Sequence, residues 1–160
     1  MQIRPATLDD IPSIKKIAEE TWPAAYAGVI NGNQISFMLQ DMYSTEALSR
    51  KFEDGHTFLL AESAEEPVGF ASYYLSEEVI RISKLYVSPQ AQGAGIGKQL
   101  LNAIADKRRE IGAIALELNV NRNNPSVQFY LKMGFEIIKE EDIPYFEYVL
   151  NDYVMRKEIV

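Results

Sequence analysis

A chain of 160 residues with 47% hydrophobic and 24% charged side chains has the size and composition of one domain that buries its own core. A net charge of -7 works against binding a nucleic-acid backbone, and the absence of cysteine excludes disulfides, thiolate metal ligands and a thiol nucleophile. One histidine, His56, argues against a multi-histidine metal site. No apolar run approaches the ~18 residues of a membrane span and MQIRPATLDD has no signal-peptide core, so a cytoplasmic protein away from membranes is expected.

In chain order, Gln2 to Ala6 reads as a short strand, and Thr7-Leu8-Asp9-Asp10 places a hydroxyl at a helix cap with acids in the first turn. Ile11, Ile14, Ile17 and Ala18 recur at helical spacing, which predicts a helix to about Thr21 with Pro23 ending it. Residues 24–34 read as a loop. Ile35 to Met42 and Ser44 to Phe52 read as two short helices, the second capped by Ser44, and Asp54-Gly55 as a turn. HTFLLAES, PVGFASYYLS and VIRISKLYVS, divided by acidic turns, predict an antiparallel meander. An amphipathic helix of about four turns is expected from Ile96 to Ile111. AIALELNV then reads as a strand, NPSVQFYLKM as a short helix, and two closing strands follow. This order gives an α/β fold with a mixed sheet, in a single domain.

The joint QGAGIGK, between a strand and a helix, decides the chemistry. Glycine removes the side chains that keep a phosphate from the unpaired amides of a helix N-terminus. A P-loop would need glycine at Gln92 and a hydroxyl at Gln99, and a dinucleotide fingerprint would need glycine at Lys98 or Leu100. Gln92-x-x-Gly95-x-Gly97 remains as an anion site, against a turn that merely lets strand and helix pack closely.

KLYVSPQAQGAGIGKQLL resembles the acyl-CoA-binding motif of the GNAT superfamily of N-acetyltransferases. Asn124-Pro-Ser-Val127-x-x-Tyr130-x-Lys132-x-Gly134-Phe135 is similar to its second signature. Ile3-Arg4-Pro5-Ala6 with Leu8-Asp9-Asp10, and Asp152-Tyr153-x-Met155-x-Lys157, resemble its two ends. Ala94 departs from the pattern where Lys or Arg is frequent, and Val127 replaces a small residue.

The resemblance implies a twisted, mostly antiparallel sheet flanked by helices and splayed between the fourth strand (79–88) and the fifth (113–120). It implies acetyl-CoA as cosubstrate, no metal, and direct attack by an amine without an acyl-enzyme. The pyrophosphate would lie on Gln92, Gly93, Ala94, Gly95, Ile96, Gly97 and Lys98. Leu85, Tyr86 and Val87 would face the pantetheine and thioester, with Asn119, Asn124, Tyr130 and Lys132 completing the cosubstrate site. Tyr130 would protonate the departing thiolate, or Phe129, Tyr130 and Leu131 form the buried face of a short helix.

Glu78 is the expected proton acceptor, with Glu77 and Glu117 as the other acidic candidates. Trp22, Tyr26 and Tyr43 would form either an aromatic cage for a cationic acceptor or ordinary core. TWPAAY, MLQDMYS, ISKLYV and YLKMGF are similar to the polyamine-acetylating branch, so a polyamine-like small molecule or a peptide is the expected acceptor. The closing strand could pair across a homodimer. A catalytically idle acyl-CoA sensor with the same fold is the alternative function.

Overall fold

The computed structural model describes residues 1–159. In chain order it forms β1 (Gln2–Pro5), α1 (Ile11–Tyr26), α2 (Gly32–Tyr43), α3 (Thr45–Glu53), β2 (Thr57–Ser63), β3 (Glu66–Ser76) and β4 (Val79–Val87). There follow α4 (Ile96–Ala105), α5 (Arg108–Ile111), β5 (Ala115–Asn121), α6 (Ser126–Lys132), β6 (Glu136–Tyr145) and β7 (Tyr148–Glu158). The seven strands make one sheet in the order β1-β2-β3-β4-β5-β7-β6. Every pairing is antiparallel except β4 with β5.

Each face of the sheet carries its own core. On one, Leu59, Ala71, Ile80, Ile82, Leu116 and Leu118 pack with Leu100, Leu101 and Ile104 of α4 and with Tyr130 of α6. On the other, Phe58, Leu60 and Phe70 pack against Ile14, Ile17 and Trp22 of α1, Ile35 and Met38 of α2, and Leu48 of α3.

Helix α1 runs through Pro23 to Tyr26, where the sequence predicts a stop and a loop. Pro23 is exposed, so its ring clears the core, and the backbone bond it forfeits to the carbonyl of the equally exposed Glu19 lies on the solvent side. Two alanines that favour helix and the burial of Trp22 and Tyr26, 3% and 9% exposed, carry the helix on to Gly28, whose φ of +76° turns the chain. The loop expected at 24–34 therefore shrinks to five residues before α2.

The single long helix expected from Ile96 to Ile111 is broken into α4 and α5 at Asp106 and Lys107. After Ile104 the core-facing positions fall on Lys107 and Arg108, so the apolar stripe lapses, and the Arg108 guanidinium donates to the Ala105 carbonyl at 3.1 Å. Ser44 caps α3 as expected, its hydroxyl accepting from the Ala47 amide at 3.1 Å. The closing strand β7 is paired on both edges from Asp152 to Arg156, to β5 and to β6. Among the described residues, no helix is long and apolar enough to cross a membrane.

Candidate active site

Two departures from regular pairing build the site. The first is a bulge in β4. Ser72 of β3 lies opposite Lys84 while Tyr73 lies opposite Ile82, which leaves Ser83 as an extra residue. Side chains change faces there: Ile80 and Ile82 enter the α4 core, but beyond the bulge it is Leu85 and Val87 that do so. Lys84 and Tyr86 consequently turn toward α1 and α2. The second departure is the splay. β4 pairs with β5 only from Val79↔Ala115 to Ile82↔Leu118, after which β5 continues with β7 alone. The last five residues of β4 keep β3 on one side and have no strand on the other. Unpaired strand amides and carbonyls demand partners, and an amide-bearing arm laid along β4 supplies them.

The glycine joint meets the open end of that gap. Gly93 and Gly95 take φ of +88° and +79°, in the left-handed region, and Gly95 caps α4. A Cβ on either would touch nothing within 4 Å, so glycine is needed there for backbone conformation alone. Gly97 has a different reason: a Cβ would come within 3.2 Å of the Phe129 ring of α6. The joint thus leaves the start of α4 bare, and its tight contact is with helix α6, not the strand–helix packing weighed from the sequence. Gln92, Gly93, Ala94, Gly95 and Lys98 are exposed, and Ile96 is buried beneath them. The Gln92 side chain donates to the Val87 carbonyl at 3.1 Å, tying the loop to the end of β4. The residues fit a pyrophosphate ligand on the donor side: a ten-residue helix with its first amides free and a lysine in its first turn.

A cavity of about 220 Å³ opens where the strands part. It brings together Tyr130, Asn124, Leu85, Tyr86 and Asn119 from the cosubstrate set with Trp22, Tyr26 and Tyr43 from the acceptor set. The aromatic residues are both core and wall. Trp22 packs on Tyr26 at 4.7 Å, Tyr43 at 5.8 Å and Tyr86 at 5.9 Å between ring centroids, and the Tyr26 and Tyr86 hydroxyls lie 3.4 Å apart. Burial raises the phenols of Tyr26, Tyr86 and Tyr130 above their ordinary range, so all three keep their protons. Asn124 accepts from the Ser126 amide at 2.8 Å, fixing the start of α6 and hence Tyr130. Lys132 is exposed at the far end of that short helix.

The acids are placed otherwise than expected. Glu78 is exposed in the β3–β4 turn, at the opposite end of β4 from the splay, and does not line the cavity. The proton-acceptor role expected of Glu78 therefore finds no support in the cavity lining. Glu117 sits between two guanidinium groups, Arg81 at 3.4 Å and Arg156 at 2.6 Å. His56 packs at a tilt against Tyr74 outside the cavity.

The carboxylate that does line the cavity is Asp152 of β7, 9% exposed. Burial, opposed by a hydrogen bond from Asn119 and reinforced by Glu141, raises its pKa above the usual carboxylate range. The Asn119 side chain is committed to this network, accepting from Arg81 at 2.6 Å and donating to Glu141 and Asp152 at 3.3 Å each. Lys84, also 9% exposed, joins the same wall. In sequence Asp152 is one acid of an alternating strand, and only its place in a closing motif marks it. Among the described residues, no group of three or more His, Asp or Glu is placed to hold a metal ion.

Comparison with known proteins agrees with this geometry. Residues 26–147 match the family model described as the acetyltransferase (GNAT) domain. The spermidine N(1)-acetyltransferase of Thermoplasma acidophilum is 24% identical, over 99% of this chain and 97% of its own. The crystal structure of the PaiA N-acetyltransferase from Thermoplasma acidophilum in complex with coenzyme A superposes with a TM-score of 0.85 at 26% identity, covering 98% of both chains. The ribosomal-protein-S18-alanine N-acetyltransferase of Escherichia coli shares the fold, with a TM-score of 0.76 at 16% identity over 99% of this chain and 93% of its own. A splayed sheet, a glycine-bared helix start and a match over most of the length converge: the chain belongs to the GNAT superfamily and is an acetyl-CoA-dependent N-acetyltransferase.

Proposed function

We propose that the chain acetylates a primary amine, of a small molecule or a peptide, inside the cavity between β4 and β5, using Tyr130 and Asp152 as its two proton-transfer groups. Acetyl-CoA enters from the α4 side, its pyrophosphate on the amides of residues 92–98 and its pantetheine arm along the open edge of β4. The acceptor enters from the opposite face, between α1, α2 and the β6–β7 hairpin. Its ammonium gives a proton to Asp152, directly or through water. The amine nitrogen bonds to the carbonyl carbon, the carbon–sulfur bond breaks, the thiolate takes the Tyr130 proton, and the second proton shed by the acetylated nitrogen returns through water to the Tyr130 phenolate. The burial that raises the phenol's pKa also raises that of a thiolate leaving into the same dry space, so the transfer stays close to matched. Asp152 serves in its charged form, which both draws in the ammonium and accepts its proton.

The observation that carries this reading is that the buried Tyr130 phenol and the buried Asp152 carboxylate line a single cavity at the splay. A polyamine acceptor finds support in the spermidine N(1)-acetyltransferase relative and in the acids Asp152 and Glu141 at this wall. The test is release of free thiol from acetyl-CoA with spermidine and a panel of primary amines. Turnover with at least one amine, lowered in Tyr130→Phe and Asp152→Asn, is expected. Binding of acetyl-CoA with no turnover on the whole panel would return the chain to the idle-sensor alternative. A cytoplasmic location follows from the same reading, since acetyl-CoA is held there.

A further inference from the structure

A second, shallower cavity of about 390 Å³ adjoins the first, and Lys84 and Met42 line both. Its charged lining is Arg50 and Lys51 of α3, Lys84, and the acids Asp41 and Asp54. Asp41 accepts a hydrogen bond from the Tyr145 hydroxyl at the hairpin tip, which engages one of the two acids. Arg50 and Lys51 stand exposed at the rim while Lys84 forms the floor. A local excess of cations is notable in a chain of net charge -7.

Lys84 is the unusual member. It is 9% exposed, and its ammonium lies 4.9 Å over the Tyr43 ring. Among the described residues it enters no ion pair. Lysine is almost never this buried unless paired, and a ring face satisfies an ammonium only in part. Burial and the nearby Lys51 lower its pKa to about 8, which is the response of a cation lacking an anion. Leucine or methionine would fill the same space without that cost. A buried cation without an ion pair, lining both cavities, leaves room for the anion of a ligand.

We propose that the acceptor carries an anionic group, a carboxylate, that docks on Lys84 at the junction of the two cavities while its amine faces Asp152. This rests on the amine-acetylating reading above and narrows it. Asp152 and Lys84 both line the first cavity, an anion for an ammonium and a cation for a carboxylate, and Arg50 and Lys51 of the adjoining cavity would draw the anionic end inward. A polyamine would set a second ammonium against Lys84. Amino carboxylates and acidic peptides share the required chemistry.

The test uses matched pairs at saturating acetyl-CoA: β-alanine, 4-aminobutyrate and 6-aminohexanoate against their methyl esters, which keep the amine and lose the charge. Spermidine and an acidic tripeptide, glycyl-glutamyl-glutamate, complete the panel. At least one carboxylate, free or peptide-borne, is expected to exceed its ester and spermidine by about 10-fold or more in kcat/KM, the equivalent of about 1.4 kcal/mol. In Lys84→Gln that ratio should fall to about 3-fold or less through a higher KM for the carboxylate. Lys84→Met, close in length and uncharged, repeats the measurement, and retention of an acetyl-CoA-induced rise in Tm verifies that each variant is folded. Preference for esters or spermidine in the wild type, or a carboxylate preference that survives both substitutions, overturns the proposal while leaving amine acetylation intact. Absence of thiol release with every acceptor overturns the amine reading and this proposal together.

Discussion

The two faces of the sheet around the splay are built on different economies. In the proposed reaction, recognition on the α4 and α6 face is carried by backbone, by free helix amides, an open strand edge and glycines that keep side chains away, with Tyr130 as the reacting side chain. On the α1 and α2 face it is carried by side chains, Tyr26, Lys84, Asn119 and Asp152, several of them polar and buried. In that proposal the first face asks little of the sequence beyond the joint, while the second recognises the acceptor with groups whose burial weakens the fold. The β4 bulge is what separates them, because it sends Leu85 and Val87 to one side and Lys84 and Tyr86 to the other.

The largest effect is expected from breaking the backbone face. In Gly95→Val a β-branched residue must take φ of +79°, which distorts the α4 cap. An about 100-fold rise in the acetyl-CoA KM should follow, the equivalent of about 2.7 kcal/mol, measured by thiol release. Next comes the phenol that bridges the faces. Tyr130→Phe should lower kcat by about 100-fold with acetyl-CoA affinity within about 3-fold by calorimetry; an unchanged kcat would return Tyr130 to plain core.

On the acceptor face, activity and stability should move in opposite directions. Asp152→Asn should lower kcat/KM for the acceptor by about 10-fold or more while raising Tm at neutral pH. The sign follows from a carboxyl pKa raised in the folded chain. Charged Asp152 costs stability above that pKa, so the gain in Tm should vanish as the pH approaches 3.8, the unfolded value. For Lys84 the folded pKa is about 8 against 10.5 unfolded, so the native state surrenders its proton first and stability rises between those values. Lys84→Met should therefore gain about 1–3 kcal/mol at pH 7 by urea unfolding, a gain that fades toward pH 10.5. Lys51, His56, Asp54 and the Tyr43 ring are the groups near this ammonium. The smallest effect belongs to Glu78→Gln, whose kcat should stay within about 2-fold, since the residue lies outside the cavity.

The same contrast decides what could be read from the sequence. The backbone face has a local signature, since glycines before an amphipathic helix need no knowledge of the rest of the chain. The acceptor face is assembled from residues more than a hundred positions apart, and periodicity sees only which side a residue faces. Asp152 reads as an exposed acid in an alternating strand until β6 and Asn119 are placed beside it. Lys84 left a trace that alternation could have caught: counting from Ile80 and Ile82 puts Lys84 on the apolar side and Leu85 on the polar side. That mismatch is the mark of a bulge. Pro23 misled for a physical reason, as its exposed position let the burial of Trp22 and Tyr26 outweigh one lost hydrogen bond.

The direct test of the backbone-held cosubstrate is the melting temperature of the wild-type chain with saturating acetyl-CoA, beside Gly95→Val and beside ATP at equal concentration. At 100 times its dissociation constant a ligand adds about 2.7 kcal/mol, which should raise the wild-type midpoint by roughly 5–10 °C. The shift should be absent with ATP and largely lost in Gly95→Val. A shift with ATP alone, or an acetyl-CoA shift undiminished in Gly95→Val, would contradict a cosubstrate held by the glycine-bared start of α4 and the open edge of β4.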